Sequence, residues 1–252
     1  MKNLSKIDKK ELVNQFDLRG GDFDKSARWI KDKTLLKLHR NLIRINNNSR
    51  ILECCCGTGI VGSQFTGKTC SVTGIDINET MLNKARKRLD KCLVASAESI
   101  PFNDNYFDAV ICRQALHFLN MKKAINEMFR VCKCGGQILI SQIVPYGKSD
   151  RNWLCKMHRE KQPLLKNFPE EQEIMTLIGS AGFKKIEKKH YYIFESINDW
   201  LKYAPELTIK KIKRVKDLSI NAPGAYKRTH QLKFIDNDIL DRMKWVLIKG
   251  VK

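Results

Sequence analysis

Short apolar runs that end in acidic residues organise the first half of the chain. Residues 51–52 are apolar and are followed by Glu53, by three cysteines and by Gly57-Thr58-Gly59. This pattern predicts a buried strand that ends in a tight turn leading into a helix. A second apolar run, residues 71–75, ends at Asp76 and predicts the neighbouring strand.

The rest of the chain continues to alternate between strand-like and helix-like patterns. Apolar residues at helical spacing predict a helix over residues 25–45, after a polar lead-in that is loose or holds a short helix. A helix of one to two turns is predicted from Gly59 to Lys68. Further helices are predicted at 78–90, 121–132, 150–168, 170–181, 197–203 and 207–218. Further strands are predicted at 92–95, 108–111, 137–144, 183–194 and 243–250.

The glycine turn and the acid at the end of the next strand suit an adenosine ligand. Glycine lacks a Cβ, so the backbone can bend sharply and lie close to a ligand. An acid at the tip of the second strand, here Asp76, can bind ribose hydroxyls. The spacing Gly57-x-Gly59-x-x-Gly62 also occurs in dehydrogenases, but Glu53 beside the turn would repel a pyrophosphate and would favour a cationic ligand end.

Three stretches resemble one protein family, the class I S-adenosylmethionine-dependent methyltransferases. Residues 51–59 resemble its first motif, hydrophobic-hydrophobic-Asp/Glu-x-Gly-Cys-Gly-Thr-Gly, with Cys55 in place of a glycine. Residues 96–108 resemble its Asp-Ala-Glu-x-Leu-Pro-Phe-x-Asp-x-x-Phe-Asp run, with Ser96 in place of the first aspartate. Residues 113–118 resemble the segment after the fourth strand in the ubiquinone/menaquinone-type and biotin-pathway-type members.

The resemblance implies a fold and a cofactor. The expected fold is an α/β, Rossmann-like sheet of seven strands, mostly parallel with the last strand antiparallel, flanked by helices. A helical insertion is expected between the last two strands. The implied cofactor is S-adenosyl-L-methionine, with S-adenosyl-L-homocysteine as product. The resemblance places these residues at the cofactor: Glu53, Cys54, Cys55, Gly57, Thr58, Gly59, Asp76, Ile77, Met81, Ser96, Ala97, Glu98, Arg113 and Gln114.

The acceptor side is less defined by sequence. If methyl transfer to a hydroxyl or an acidic carbon needs a base, His117 is the first candidate, and His190, Tyr191 and His230 are weaker ones. A carboxylate, thiolate or neutral amine acceptor would need no dedicated base. The resemblance implies that a helix of the N-terminal segment lies over the cofactor, where residues 16–19 and Trp29 could reach the ligand. For Trp29 we favour the alternative, that it packs against the body of the protein.

Length and cysteine content complete the domain prediction. We expect one methyltransferase domain over residues 1–252, with an N-terminal helical lid (1–45), a cofactor-binding core (46–145) and acceptor-side elements (146–182 and 195–240). The nine cysteines lack the spacing of a zinc site, so we read them as small core residues and predict no metal.

Charge leaves the choice of partner open. The formal net charge is +20, and Lys210–Lys216 forms a basic, amphipathic stretch. A small-molecule acceptor is favoured, an RNA-modifying methyltransferase is the alternative, and a non-catalytic S-adenosylmethionine-binding protein is a further one. No apolar run approaches the roughly 20 residues that span a bilayer, and the first residues lack an apolar signal segment. We therefore expect a cytoplasmic protein and make no prediction of its oligomeric state.

Overall fold

A mixed β-sheet with helices on both faces forms the framework of the protein. The computed structural model describes residues 9–67, 70–165 and 168–252. Its strands are β1 (Arg50–Cys54), β2 (Ser71–Asp76), β3 (Lys91–Val94), β4 (Phe107–Arg113), β5 (Cys132–Ile143), β6 (Lys184–Ser196), β7 (Lys233–Ile235) and β8 (Asp238–Val251). Its α-helices are α1 (Lys9–Arg19), α2 (Lys33–Leu42), α3 (Glu79–Ala85), α4 (Met121–Val131), α5 (Lys148–Lys161), α6 (Glu171–Ala181), α7 (Ile197–Lys202), α8 (Ile209–Ile220) and α9 (Gly224–Thr229).

The strand order is β3-β2-β1-β4-β5-β8-β6, with β7 paired to the start of β8. Strands β1 to β5 are parallel to their neighbours, whereas β8 lies antiparallel between β5 and β6. The predicted fold class, with its antiparallel last strand, is therefore confirmed. Because the parallel strands end at one edge, the tips of β1, β2 and β4 converge there.

Alternating side chains of the strands build an apolar core on each face of the sheet. One face carries Ile51, Ile111 and Trp245, which pack against α2 and α5, and the other carries Leu52 and Ile140, which pack against α4 and α6. Strands buried on both sides are typical of parallel sheets, whose faces are covered by helices.

The insertion between β6 and β8 contains helices α7 and α8, as predicted, and the short helix α9 and a short strand, which were not predicted. Strand β7 has only three residues, all exposed, so it leaves little apolar periodicity to recognise. The insertion is fixed to the body through His230, whose imidazole lies between Asp150 on α5 and Asp241 on β8 at 3.0 and 2.7 Å. The hydroxyl of Tyr226 donates to the same Asp241 at 2.9 Å.

Several predicted helices are wrong in extent, among them those over 78–90 and 150–168, which end at Ala85 and Lys161, and two others differ more. The helix expected over 25–45 is replaced by two 3₁₀ turns and then α2, because the side chain of Asp32 accepts from Leu35 N at 2.7 Å and starts a new helix. The helix expected after Gly59 is a single 3₁₀ turn, residues 62–64.

Parts of three predicted segments lie outside the described residues. They are residues 1–8 of the predicted lid, residue 68 of the helix after Gly59, and residues 166–167 of the first acceptor-side element. Within the described ranges, no helix combines the length and apolar character needed to cross a membrane.

Candidate active site

A cavity of about 580 Å³ lies at the carboxyl edge of the parallel strands. Its walls come from the tips of β1, β2 and β4, from the loop after β3, from α3 and from α1. Pockets of about 300–1,000 Å³ are usual for small-molecule and cofactor sites. Of the predicted cofactor residues, those that line it are Glu53, Cys55, Gly57, Asp76, Ile77, Met81, Ser96, Ala97, Glu98, Arg113 and Gln114.

The glycine turn after β1 forms the floor of the cavity. Cys55, Gly57 and Gly59 have φ values of 51°, 53° and 74°, in the left-handed region that glycine adopts most easily. Cys56 N donates to Ile75 O at 3.0 Å, which ties the turn to β2. Cys55 holds the strained conformation of the glycine that the family pattern has at its position.

Asp76 at the end of β2 closes the turn from the other side. Its Oδ2 accepts from Gly57 N at 2.8 Å and its Oδ1 accepts from Asn78 N at 3.0 Å. Burial raises the pKa of the Asp76 carboxyl above its ordinary value, while these two backbone donors oppose that rise. The carboxylate is thus held rigidly with its edge on the cavity.

Glu53 is the second carboxylate on this wall. Its Oε2 accepts from Gly62 N at 2.8 Å, and Oε1 has no hydrogen-bond partner within the described ranges. Burial raises the pKa of Glu53 to about 7, an effect that the nearby positive charge of Arg113 partly offsets. A cationic ligand group beside Oε1 would stabilise the ionised form.

Another part of the cavity has a mixed polar and apolar lining. Met81, Ile77 and Ala97 all line it, and Met81 N is capped by the Asn78 side chain at 2.7 Å. Glu98 Oε1 accepts from Asn120 N at 2.8 Å, and this holds the loop after β3 against the start of α4. An apolar slot edged with hydrogen-bonding groups suits a planar heterocycle.

The N-terminal segment covers the cavity. Leu12, Val13 and Phe16 of α1 line it, and Asn78 Nδ2 donates to Val13 O at 3.0 Å. At its far end, α1 is fixed by Arg19, which donates to Lys161 O at 2.7 Å and pairs with Glu206.

Several wall residues were not assigned to the site by sequence. Phe23 lies over the turn, 3.9 Å from the position that a Cβ on Gly57 would occupy. Phe118 meets Phe16 edge-on, with ring centroids 5.8 Å apart. Trp29 both lines the cavity and packs on Trp245, at 5.2 Å between ring centroids, so the predicted packing role is one of two. Aromatic residues in a polar N-terminal stretch were the only sequence signal for this wall.

Four predicted residues do not reach the cavity wall, and their predicted roles stay predictions. Cys54 points into the core on the other face of the sheet. A side chain on Gly59 would meet Leu89, so this glycine is required for packing. The Thr58 hydroxyl donates to Asp24 Oδ1 at 2.6 Å, which ties the turn to the N-terminal segment.

His117, the predicted base, is the fourth of these. It is buried, with Nδ1 3.1 Å from Gln142 Nε2 and its ring near Phe168. Burial lowers the pKa of the imidazole to about 3. The ring is therefore neutral at pH 7.

The comparisons with known proteins agree with this geometry. A family model described as a methyltransferase domain matches residues 52–140. The uncharacterized protein MJ1123 of Methanocaldococcus jannaschii is 33% identical over 195 residues, which cover 74% of this chain and 88% of that protein. The chain belongs to the class I S-adenosylmethionine-dependent methyltransferases.

Two further comparisons show how far the likeness to this methyltransferase extends. The ubiquinone/menaquinone biosynthesis C-methyltransferase UbiE of Yersinia enterocolitica is 38% identical over 108 residues, 38% of this chain. The match spans only 43% of that relative's length, so the likeness concerns the cofactor-binding half. The solved structure of YcgJ from Bacillus subtilis superposes with a TM-score of 0.79 at 20% identity, covering 86% of this chain and 97% of YcgJ, and it supports the fold alone.

Proposed function

We propose that this methyltransferase binds S-adenosylmethionine in the cavity and transfers its methyl group to a small-molecule acceptor, with S-adenosylhomocysteine as product. The observation that carries the proposal is the pair of carboxylates, Glu53 and Asp76, on either side of the left-handed turn at Gly57. The cavity volume, the close approach allowed by the turn and the placement of these charges all fit an adenosine that bears a cationic side chain. We also propose that the whole chain works as one domain.

The proposed cofactor pose assigns a role to each end of the cavity. Asp76 would accept hydrogen bonds from the ribose hydroxyls, because its carboxylate lies at the tip of β2. The slot between Met81 and Ala97 would hold the adenine, with Ser96 and Glu98 at its polar edge. Glu53 would face the ammonium group at the other end, next to Arg113.

The protein's part in the reaction is positioning and exclusion of water. When bound, S-adenosylmethionine supplies an electrophilic methyl group, which passes to the acceptor as the bond from carbon to sulfur breaks. The protein gains rate by holding the acceptor atom in line with that bond, and α1 with its apolar residues closes the site from solvent. His117 does not line the cavity, and the proposed pose assigns the wall carboxylates Glu53 and Asp76 to the cofactor, so we favour an acceptor that is already nucleophilic.

The aromatic side chains that line the cavity indicate which class of acceptor it could bind. Phe16, Phe23, Trp29 and Phe118 all line the cavity, so an aromatic or largely apolar metabolite is the class of acceptor that we favour.

The predicted cytoplasmic location of the enzyme remains a prediction.

One observation favours the RNA-modifying alternative. Lys210 and Lys213 on α8 are exposed and form no ion pair within the described ranges. However, no residue of α8 lines the cavity, and Arg214 of the same helix is already paired with Glu160 at 2.9 Å. We therefore prefer the small-molecule proposal.

Two experiments test the proposed function. Calorimetry with S-adenosylhomocysteine should show binding, with NAD⁺ as the matched control that should not bind; the reverse result would overturn the proposal. The protein would then be incubated with methyl-labelled S-adenosylmethionine and a cell extract from which RNA has been removed. Label in small molecules supports the proposal. Label only when RNA is restored would favour the alternative, and binding without any labelling would favour a non-catalytic protein.

A further inference from the structure

Arg113 is a half-buried cation that faces the cavity. It ends β4 and pairs in register with Ser141 of β5, and Glu53 on β1 lies opposite Ile111, two residues earlier on β4. Because side chains alternate along a strand, Glu53 and Arg113 point to the same face of the sheet, about 6–7 Å apart along the strand direction. Both line the cavity.

The guanidinium of Arg113 has few partners. Its only hydrogen bond in the described parts of the chain is from Nη1 to Ile30 O, at a long 3.3 Å. Its Cζ lies 4.9 Å from the centroid of the Trp29 ring, so one flat side is covered. A guanidinium has five N–H donors, and most of these are therefore left for a ligand.

Three other buried or part-buried arginines of the chain have a carboxylate beside them. Arg88 pairs with Asp24 at 2.6 Å, Arg130 with Glu127 at 2.8 Å, and the buried Arg19 with Glu206. No carboxylate of the described residues lies within 4 Å of Arg113. Burial lowers the pKa of Arg113 to about 10, so the group stays charged at pH 7. Glu53 and Asp24 favour its charged form from a distance, but neither forms a direct ion pair with it, so a ligand carboxylate can take that place.

We infer that Arg113 is the anion-recognition residue of this cavity and that it binds a carboxylate carried by a ligand. A carboxylate matches the fork of the guanidinium and can accept two parallel hydrogen bonds. Glu53 nearby would take a positive group, so the pair suits a ligand with an α-amino acid end. The inference rests on the proposed function for the choice of ligands. The carboxylate can come from the cofactor's aminoacyl end or from the acceptor.

The first experiment tests the cofactor as the source. Dissociation constants are measured by calorimetry for S-adenosylhomocysteine, which has the carboxylate, and for 5′-methylthioadenosine, which lacks it. Arg113→Met should weaken binding of the first by at least about tenfold and of the second by less than about twofold, since a charged bidentate pair is lost only with the first. Arg86→Met, at an exposed arginine that caps the C-terminal end of α3 and does not line the cavity, is the control and should change neither.

The second experiment tests the acceptor as the source. Wild-type protein saturated with S-adenosylhomocysteine is titrated with benzoate. Binding that is present in the wild type and at least about tenfold weaker in Arg113→Met would assign the carboxylate to the acceptor.

Unchanged affinities for S-adenosylhomocysteine and benzoate in Arg113→Met would overturn the inference. Thermal melting monitored by circular dichroism checks that the variant is folded. If it is not folded, Arg113→Lys replaces it, because lysine keeps the charge and loses the forked geometry of the guanidinium. A smaller loss of affinity, for the same ligands, supports the inference. Unchanged affinity overturns it. Wild-type protein that binds neither nucleoside would overturn the proposed function, and the benzoate titration would then decide the inference about Arg113.

Discussion

Polar groups are used differently at the cavity and in the C-terminal insertion. At the cavity, the carboxylates of Glu53 and Asp76 accept from backbone N–H groups and keep an edge towards the ligand space. Where the insertion meets the body, His230 binds both Asp150 on α5 and Asp241 on β8 in a buried cluster. Groups of the first kind can exchange interactions with a ligand, whereas groups of the second kind hold the fold together. Substitutions at the cavity should therefore weaken ligand binding more than they lower stability, and substitutions in the buried cluster should do the reverse.

The largest effect is expected at the buried cluster. His230→Ala would leave Asp150 and Asp241 buried without their counter-ion and should lower the free energy of unfolding by about 3–5 kcal/mol. Denaturant titration measures this. His190→Ala removes a half-exposed imidazole that contacts Glu171 at 2.6 Å and should cost roughly 1 kcal/mol or less. Equal losses for the two variants would show that the cluster does not hold the insertion.

The cluster also predicts a pH dependence. The two flanking carboxylates raise the pKa of His230 against the effect of burial. A raised histidine pKa means that its stabilisation is complete below the unfolded value near 6.5 and is lost as pH rises through the folded value. The difference in unfolding free energy between wild type and His230→Ala should therefore shrink as pH rises above 7.

Asp76 should show the reverse pattern, with a large effect on binding. Asp76→Asn should weaken binding of S-adenosylhomocysteine by about 100-fold, or roughly 2.7 kcal/mol, because hydrogen bonds to a charged acceptor are lost. The matched control is Asp90→Asn, since Asp90 also accepts from a backbone N–H, that of Val72 at 2.8 Å, but does not line the cavity. A similar loss of affinity in both variants would contradict the role given to Asp76.

Glu53 makes ligand affinity depend on pH near neutrality. Its pKa of about 7 means that it is mostly protonated at pH 6 and mostly ionised at pH 8. If Oε1 faces an ammonium group, S-adenosylhomocysteine should bind several-fold more tightly at pH 8 than at pH 6, because only the ionised form attracts the cation. Calorimetry at both pH values measures this. Glu53→Gln should remove the dependence, and a slope that survives in this variant would assign it to another group.

The smallest effect is expected at His117. Its ring bonds to Gln142 and does not line the cavity, so His117→Asn should change the dissociation constant of S-adenosylhomocysteine by less than about threefold. The rate of label transfer to molecules of the cell extract, measured as a function of pH, then tests whether His117 acts as a base. Loss of label transfer with unchanged cofactor affinity would support a catalytic role for His117, and an unchanged pH profile would exclude it.

Local sequence patterns predicted the parallel half of the sheet and the residues at its strand tips. Glu53, Asp76 and Ser96 each follow or end a short apolar run, so their position at one edge follows from the fold class alone. An N-terminal lid was expected from the family resemblance, but local patterns alone do not show which of its side chains line the cavity. Phe16 and Phe23 reach it through contacts between segments far apart in sequence, such as Asn78 with Val13.

The errors also have local physical causes. The predicted helix over 25–45 has suitable apolar spacing, but the capping side chain of Asp32 outweighs that pattern and begins α2 afresh. His117 lies in a segment with the right motif, but it bonds to Gln142 on β5 and does not line the cavity, and its predicted role stays a prediction. Its orientation depends on packing between elements, which leaves no periodic signal in one sequence.

The contacts that anchor α1 affect when, during synthesis, the cofactor site can form. Arg19 at the end of this helix binds Lys161 O and Glu206, which the ribosome adds well over a hundred residues later. During synthesis, the earliest described helix must wait for these late partners before it can settle over the nascent sheet. Nucleoside affinity should therefore arise only near the end of translation, and chains stalled before residue 206 should hold the cofactor poorly.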